Sequence, residues 1–211
     1  ATNVGFGGCR MANHSVAVYN PFSMVNLVDY IASGDYSGLV TAAEALYDAT
    51  GDDHRGIATR VANVNRAQAE YVSIFYGTND FAGAVPIGTD TDMTGATFKG
   101  SINYVIETLL AAYPHLKLFF IAPPWRARQS SGDGKDADLV PNTAGIYFRE
   151  YVDAIKSRAE SYHLPTLDLY RTSGINWLNE ATMLSDGLHP TATLGDNLIA
   201  GKVAGFIGAN F

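Results

Sequence analysis

Three short segments carry residue types that can act together on a carbonyl carbon. In Ser185-Asp186-Gly187-Leu188-His189-Pro190 a carboxylate stands three residues ahead of an imidazole, on a glycine turn. At that spacing the carboxylate can accept a hydrogen bond from one ring nitrogen, fix the tautomer and leave the other nitrogen free as a base. A helix N-terminus with an incidental surface histidine would read the same way. In Tyr76-Gly77-Thr78-Asn79-Asp80 the glycine allows a sharp bend, and Asn79 can aim its side-chain amide at a developing oxyanion. A plain Asx turn is the alternative. In Asn3-Val4-Gly5-Phe6-Gly7-Gly8-Cys9-Arg10 the glycines let the backbone come close to a ligand and offer it a free N–H, or else simply make a tight turn. The segment is not a dinucleotide fingerprint, because Arg10 occupies the place of the third glycine.

Other residues qualify more weakly. Pro123-Pro124-Trp125-Arg126 follows an apolar run and is expected to face a pocket, where Trp125 could stack on a sugar ring and Arg126 could bind a carboxylate. Packing of Trp125 beneath a long loop is the competing expectation. Asp90-Thr91-Asp92-Met93-Thr94-Gly95 begins like a calcium loop, but its twelfth position is Ser101 rather than Glu, so no metal site is expected. Asn13-His14-Ser15 is a glycosylation triplet of a kind common by chance. Cys9 neighbours Gly8 and is conceivable as a nucleophile, but a thiol in that role needs an adjacent base.

The elements that must position these groups follow from hydrophobic periodicity. Tyr71–Tyr76, Leu116–Ile121 and Pro165–Tyr170 are short apolar runs of the kind that form buried parallel strands. A further short strand is expected around Val4 and Phe6. Helical stripes run through Phe98–Tyr113, Phe148–Tyr162 and Leu194–Phe206, and shorter helices are expected at Val25–Ile31, Ala42–Ala49 and Arg60–Gln68. Strand alternating with helix is the pattern of an α/β domain, here a single one spanning 1–211. Two long loops, Phe81–Ala96 and Trp125–Asn142, follow strands and so fall where open parallel sheets bind ligands.

Taken in order, the three segments resemble the blocks of the SGNH (GDSL-type) hydrolase family. Asn3–Gly8 looks like that family's glycine turn, Gly77-Thr78-Asn79-Asp80 its Gly-x-Asn-Asp turn, and Asp186-Gly187-Leu188-His189 its late Asp-x-x-His. The resemblance implies a three-layer α/β/α sandwich with a parallel, flavodoxin-like sheet. It also implies cofactor-free hydrolysis of a carboxylic ester, with His189 as base, Asp186 as its orienting partner, and Gly8 and Asn79 as oxyanion-hole donors. The substrate class is a small acyl ester or an acylated glycan. The family's first block, Gly-Asp-Ser with the nucleophile, does not occur in the 211 residues. The first strand and its serine are therefore expected on a bound peptide or a second chain. A nucleophile-less carbohydrate-binding or assembly module is the alternative.

Composition narrows the classes further. The chain has 14 Lys and Arg against 21 Asp and Glu, a formal net charge of −7. The basic residues are scattered, which argues against nucleic acid and against docking on anionic membranes. Hydrophobic content of 47% is that of an ordinary globular protein, and no apolar run has the length of a membrane span. One cysteine allows no internal disulfide; the compartment stays open between reducing and exported.

Overall fold

The computed structural model describes residues 2–127 and 135–211. Ala1 and residues 128–134, part of the second expected loop, lie outside the described residues. The chain is α/β with a small parallel sheet, and it divides into two compact units.

The first unit comprises Ala1–Val72 and Gly88–Leu118. Its α-helices among the described residues are α1 (Met24–Ser33), α2 (Ser37–Thr50), α3 (Arg55–Asn63) and α5 (Phe98–Ala112); α4 (Thr78–Ala82) belongs to the second unit. Helix α5 forms because Ile102, Val105, Ile106 and Leu109 recur at helical spacing, and all four are at most 1% exposed. Each such burial contributes about 1.5–3 kcal/mol. Thr97 caps the helix by accepting the Gly100 N–H at 3.2 Å. Against it packs α1, tied by Tyr104 Oη donating to Asp29 at 2.7 Å and Tyr113 Oη donating to the Ile31 carbonyl at 2.9 Å.

Two expectations change in this unit. No strand forms around Val4 and Phe6. Gly5 and Gly7 interrupt the run, and Phe6 is instead buried in irregular chain against Phe22 and His54. The helix expected over Arg60–Gln68 starts earlier, at Arg55, where the Asp53 carboxylate accepts the Arg55 N–H at 3.1 Å. It ends at Asn63 because Val64 turns extended, and Arg66–Gln68 is a separate 3₁₀ turn.

The second unit comprises Ser73–Ile87 and Phe119–Phe211. Strands β1 (Tyr71–Ile74) and β2 (Lys117–Ala122) run into it from the first unit, and β3 (Thr166–Asp168) lies wholly within it. The sheet order is β1-β2-β3, with β2 and β3 parallel in the register Phe120↔Thr166, Ile121↔Leu167, Ala122↔Asp168. The run expected to extend through Tyr170 stops at Asp168, whose carboxylate accepts the Arg171 N–H at 3.0 Å and starts the one-turn helix α7 (Leu169–Thr172). Helix α6 (Phe148–Ser161) buries Phe148, Val152, Ile155 and Ala159, four of its five expected stripe residues, and packs on β3.

Two more helices complete this unit, α8 (Glu180–Met183) and α9 (Leu194–Asn210). Helix α9 lays Ile199, Val203 and Phe206 on a core of Phe119, Ile121, Leu167 and Leu169. Leu194, the first residue of its expected stripe, stays 54% exposed. Among the described residues no helix is long and apolar enough to cross a membrane.

Candidate active site

The turn after α8 is built by its own carboxylate. Asp186 Oδ1 accepts the N–H groups of Leu188 at 3.1 Å and His189 at 2.8 Å, so the chain must curl back over Gly187, whose φ is +77°. The curl brings the His189 ring onto the other carboxylate oxygen, with Nδ1 and Asp186 Oδ2 2.8 Å apart. An ionised carboxylate only accepts, so Nδ1 carries a proton, and in the neutral ring the lone pair falls on Nε2. The imidazole is 69% exposed and the carboxylate 36%. Ser185 Oγ donates to the His189 carbonyl at 3.2 Å, and among the described residues no serine hydroxyl bonds to the ring.

Partial burial works against ionisation of Asp186, but hydrogen bonds from the His189 N–H, the His189 ring and the Leu188 N–H outweigh it, so its carboxyl is held below the ordinary 3.8. A carboxyl lowered in the folded state adds stability that is present above its unfolded pKa, about 3.9, and is lost as pH falls through the lower folded value. Carbonyl-detected NMR titration is therefore expected to place the Asp186 midpoint below 3.8 and to show the turn loosening only under that midpoint. A midpoint at or above the ordinary value would remove the three hydrogen bonds from the account.

Asn79 sits on α4 (Thr78–Ala82), a five-residue helix that follows β1. Gly77 precedes it with φ +113°, a conformation open to glycine and strained for other residues. The side chain of Asn79 is half-buried, and Asp80 beside it is fully buried. Gly8, in the first unit, occupies an exposed turn at φ +73° with nothing within 4 Å of where a Cβ would stand.

Trp125 and Arg126 are not presented as a sugar platform and a carboxylate receptor. Trp125 is 6% exposed and packs with Ala127, Ile175 and Leu184, and its indole N–H is one of the buried donors without a partner among the described residues. Arg126 is 2% exposed. Its Nη1 donates to the Thr78 carbonyl at 2.9 Å, and the next residue, Ala127, donates its N–H to the Gly187 carbonyl at 2.8 Å. The Asn79 turn and the Asp186–His189 turn are thus pinned to two consecutive residues of one loop. The sequence points to Arg126 as a carboxylate receptor but carries no sign of its bond to Thr78 or of Ala127's to Gly187. The parity that aims side chains along a strand lapses beyond Ala122, and an acceptor 48 residues away leaves no local mark.

The remaining candidates are accounted for by packing. Asp92 accepts from the Thr89 N–H at 2.9 Å, Thr89 Oγ1 at 2.8 Å and Thr97 Oγ1 at 3.1 Å, while Asp90 pairs with Lys99 at 2.7 Å. The calcium-like segment is a hydrogen-bonded loop ahead of α5. Cys9 is 2% exposed, and burial pushes its thiol up to about 12. It should not react with a disulfide reagent at pH 8 while the chain is folded, and should react once denaturant is added; rapid labelling of the native chain would contradict its burial. The open groove lined by Lys156, Glu160, His163, Leu164 and Thr166 contains none of the candidate residues.

The α/β fold thus carries a carboxylate-oriented histidine in the turn after its last strand. Residues 24–194 match the GDSL-like Lipase/Acylhydrolase family, and the chain belongs to that family. A solved structure from Lactobacillus plantarum is similar with TM-score 0.63 and 26% identity, over 72% of each chain. A "possible lipase" from Chitinophaga pinensis is similar with TM-score 0.54 and 18% identity, over 88% of this chain and 95% of its own, a likeness of fold. A third solved structure reaches TM-score 0.69 at 23% identity, over 96% of this chain and 76% of its own. No curated protein matches the sequence.

Proposed function

We propose that this chain is the body of a serine esterase that cleaves a carboxylic ester, with an acetylated carbohydrate or a small acyl ester as substrate. The observation that carries the reading is the 2.8 Å contact between Asp186 and His189 Nδ1, which leaves the outward Nε2 as a base, in a chain of the lipase/acylhydrolase family. His189 takes the proton of a serine hydroxyl, and Asp186 stabilises the imidazolium that results. The serine oxygen attacks the ester carbonyl, and Asn79 donates to the oxyanion. The tetrahedral intermediate expels the alcohol, which takes its proton from His189; water, deprotonated by the same ring, then releases the acid.

The serine itself comes from a segment outside these 211 residues, since no Gly-Asp-Ser triplet occurs among them and no serine of the described residues bonds to the His189 ring. That segment, a bound peptide or part of a second chain, adds a strand at β1. This strand stands at one edge of the sheet, with Ser73 exposed and Phe75, just beyond its end, 45% exposed. Exposed sheet edges readily accept a further strand.

The test is intact-mass spectrometry of the purified protein after treatment with a fluorophosphonate, alongside hydrolysis of p-nitrophenyl acetate. The reading expects the adduct on a co-purifying segment and loss of hydrolysis with it. An adduct on a serine of this chain would overturn the supplied-serine part. Absence of both adduct and hydrolysis would overturn the esterase reading in favour of a binding module.

A further inference from the structure

We infer that Arg126 is a positioning residue whose guanidinium and adjoining peptide hold the Asn79 turn and the Asp186–His189 turn in fixed register. Arg126 is 2% exposed, so its guanidinium has given up water and needs acceptors of good geometry. Arg126 finds them in backbone carbonyls. Nε donates to Ala127 at 2.8 Å and Nη1 to Thr78 at 2.9 Å, and the guanidinium carbon lies 5.3 Å from the Phe81 ring centroid, on the same short helix as Asn79. Ala127 is therefore held at both of its backbone polar groups. Its carbonyl is taken by Arg126, and its N–H by the carbonyl of Gly187, which lies between Asp186 and His189.

The guanidinium is planar and its donors are fixed in a fork, so a displacement at Thr78 is carried to the backbone of Ala127 and from there to Gly187. A lysine ammonium keeps the charge but is a single point on a flexible stem and cannot meet both carbonyls in that geometry. The reach of this device is the distance between an oxyanion donor and a general base. Errors of about 1 Å in such distances cost on the order of 10²-fold in rate. That kinetic consequence rests on the esterase reading, whereas the register itself does not.

The test is NMR on the 211-residue chain, following the Asn79 side-chain amide and the His189 ring nitrogens in wild type, Arg126→Lys and Val152→Ala. Val152 is fully buried on α6 and serves as a destabilised control outside the register. Arg126→Lys is expected to move both sets of signals and weaken the Nδ1–Asp186 signature, while Val152→Ala leaves them in place. In enzyme that hydrolyses p-nitrophenyl acetate, Arg126→Lys is expected to lower kcat by about 10–100-fold with KM changed less than about threefold.

A folded Arg126→Lys protein with both sets of signals at wild-type positions would overturn the inference, as would equal shifts in Val152→Ala. If Arg126→Lys does not fold, the wild-type chain decides through hydrogen exchange. Protected Arg126 Nε–H and Ala127 N–H support the register, and free exchange at both overturns it. A protein with no esterase activity leaves these spectroscopic outcomes intact, so the two readings fail separately.

Discussion

Replacing His189 with alanine is expected to lower kcat for p-nitrophenyl acetate by about 10⁴–10⁶-fold in enzyme that carries the serine. At 1.36 kcal/mol per decade this corresponds to roughly 5–8 kcal/mol of transition-state stabilisation. The size follows from the role: without the imidazole neither the serine proton nor the leaving alcohol has a partner. The position makes the experiment clean. The side chain is 69% exposed, and among the described residues its ring hydrogen-bonds to Asp186. Its removal should leave thermal stability nearly unchanged, within about 0.5 kcal/mol, as for most surface substitutions. A variant that keeps its fold and loses its turnover assigns the loss to chemistry. Turnover within tenfold of wild type would place the base elsewhere.

Asn79→Ala is expected to cost about 10²–10³ in kcat, or some 2.7–4 kcal/mol, with little change in KM. An oxyanion donor acts on charge that exists only in the transition state, so its loss should spare ground-state binding. The helix that carries Asn79 is only five residues long and is anchored by Phe81 in the core and by Arg126 on the Thr78 carbonyl. Neither anchor involves the Asn79 side chain. In the His189→Ala background the same substitution should still lower residual turnover, because oxyanion stabilisation persists when the base is lost. Unchanged kcat in Asn79→Ala would take that amide out of the mechanism.

What could be seen in the sequence tracks what local periodicity encodes. The stripes of α5 and α6 and the apolar run of β2 are legible because each repeats a burial pattern over several residues, whereas the run that holds β1, expected to be buried, buries Ile74 and leaves Tyr71 and Phe75 exposed. The Asp186–His189 pair is legible because both partners lie in one turn. Helix α4 is not, since five residues span little more than one helical turn and Gly77-Thr78-Asn79-Asp80 reads equally well as a turn. Trp125 and Arg126 mislead for a different reason. Residue type suggested a pocket, but their burial is set by partners far along the chain: Leu184 and Ile175 around Trp125, Thr78 on Arg126. Leu194 shows the converse, an apolar residue at helical spacing left exposed because it opens α9 at the edge of the packed face.

The central claim is that the His189 imidazole and the Asn79 amide serve the same acyl carbon. A crystal structure of the protein with its serine phosphonylated tests it most directly, because the phosphoryl oxygen stands in for the oxyanion. The account predicts that oxygen within about 3 Å of Asn79 Nδ2, and His189 Nε2 within hydrogen-bond reach of the modified serine oxygen. A phosphonate whose oxygen is held by other donors, with the His189 ring turned away from the serine, would contradict it.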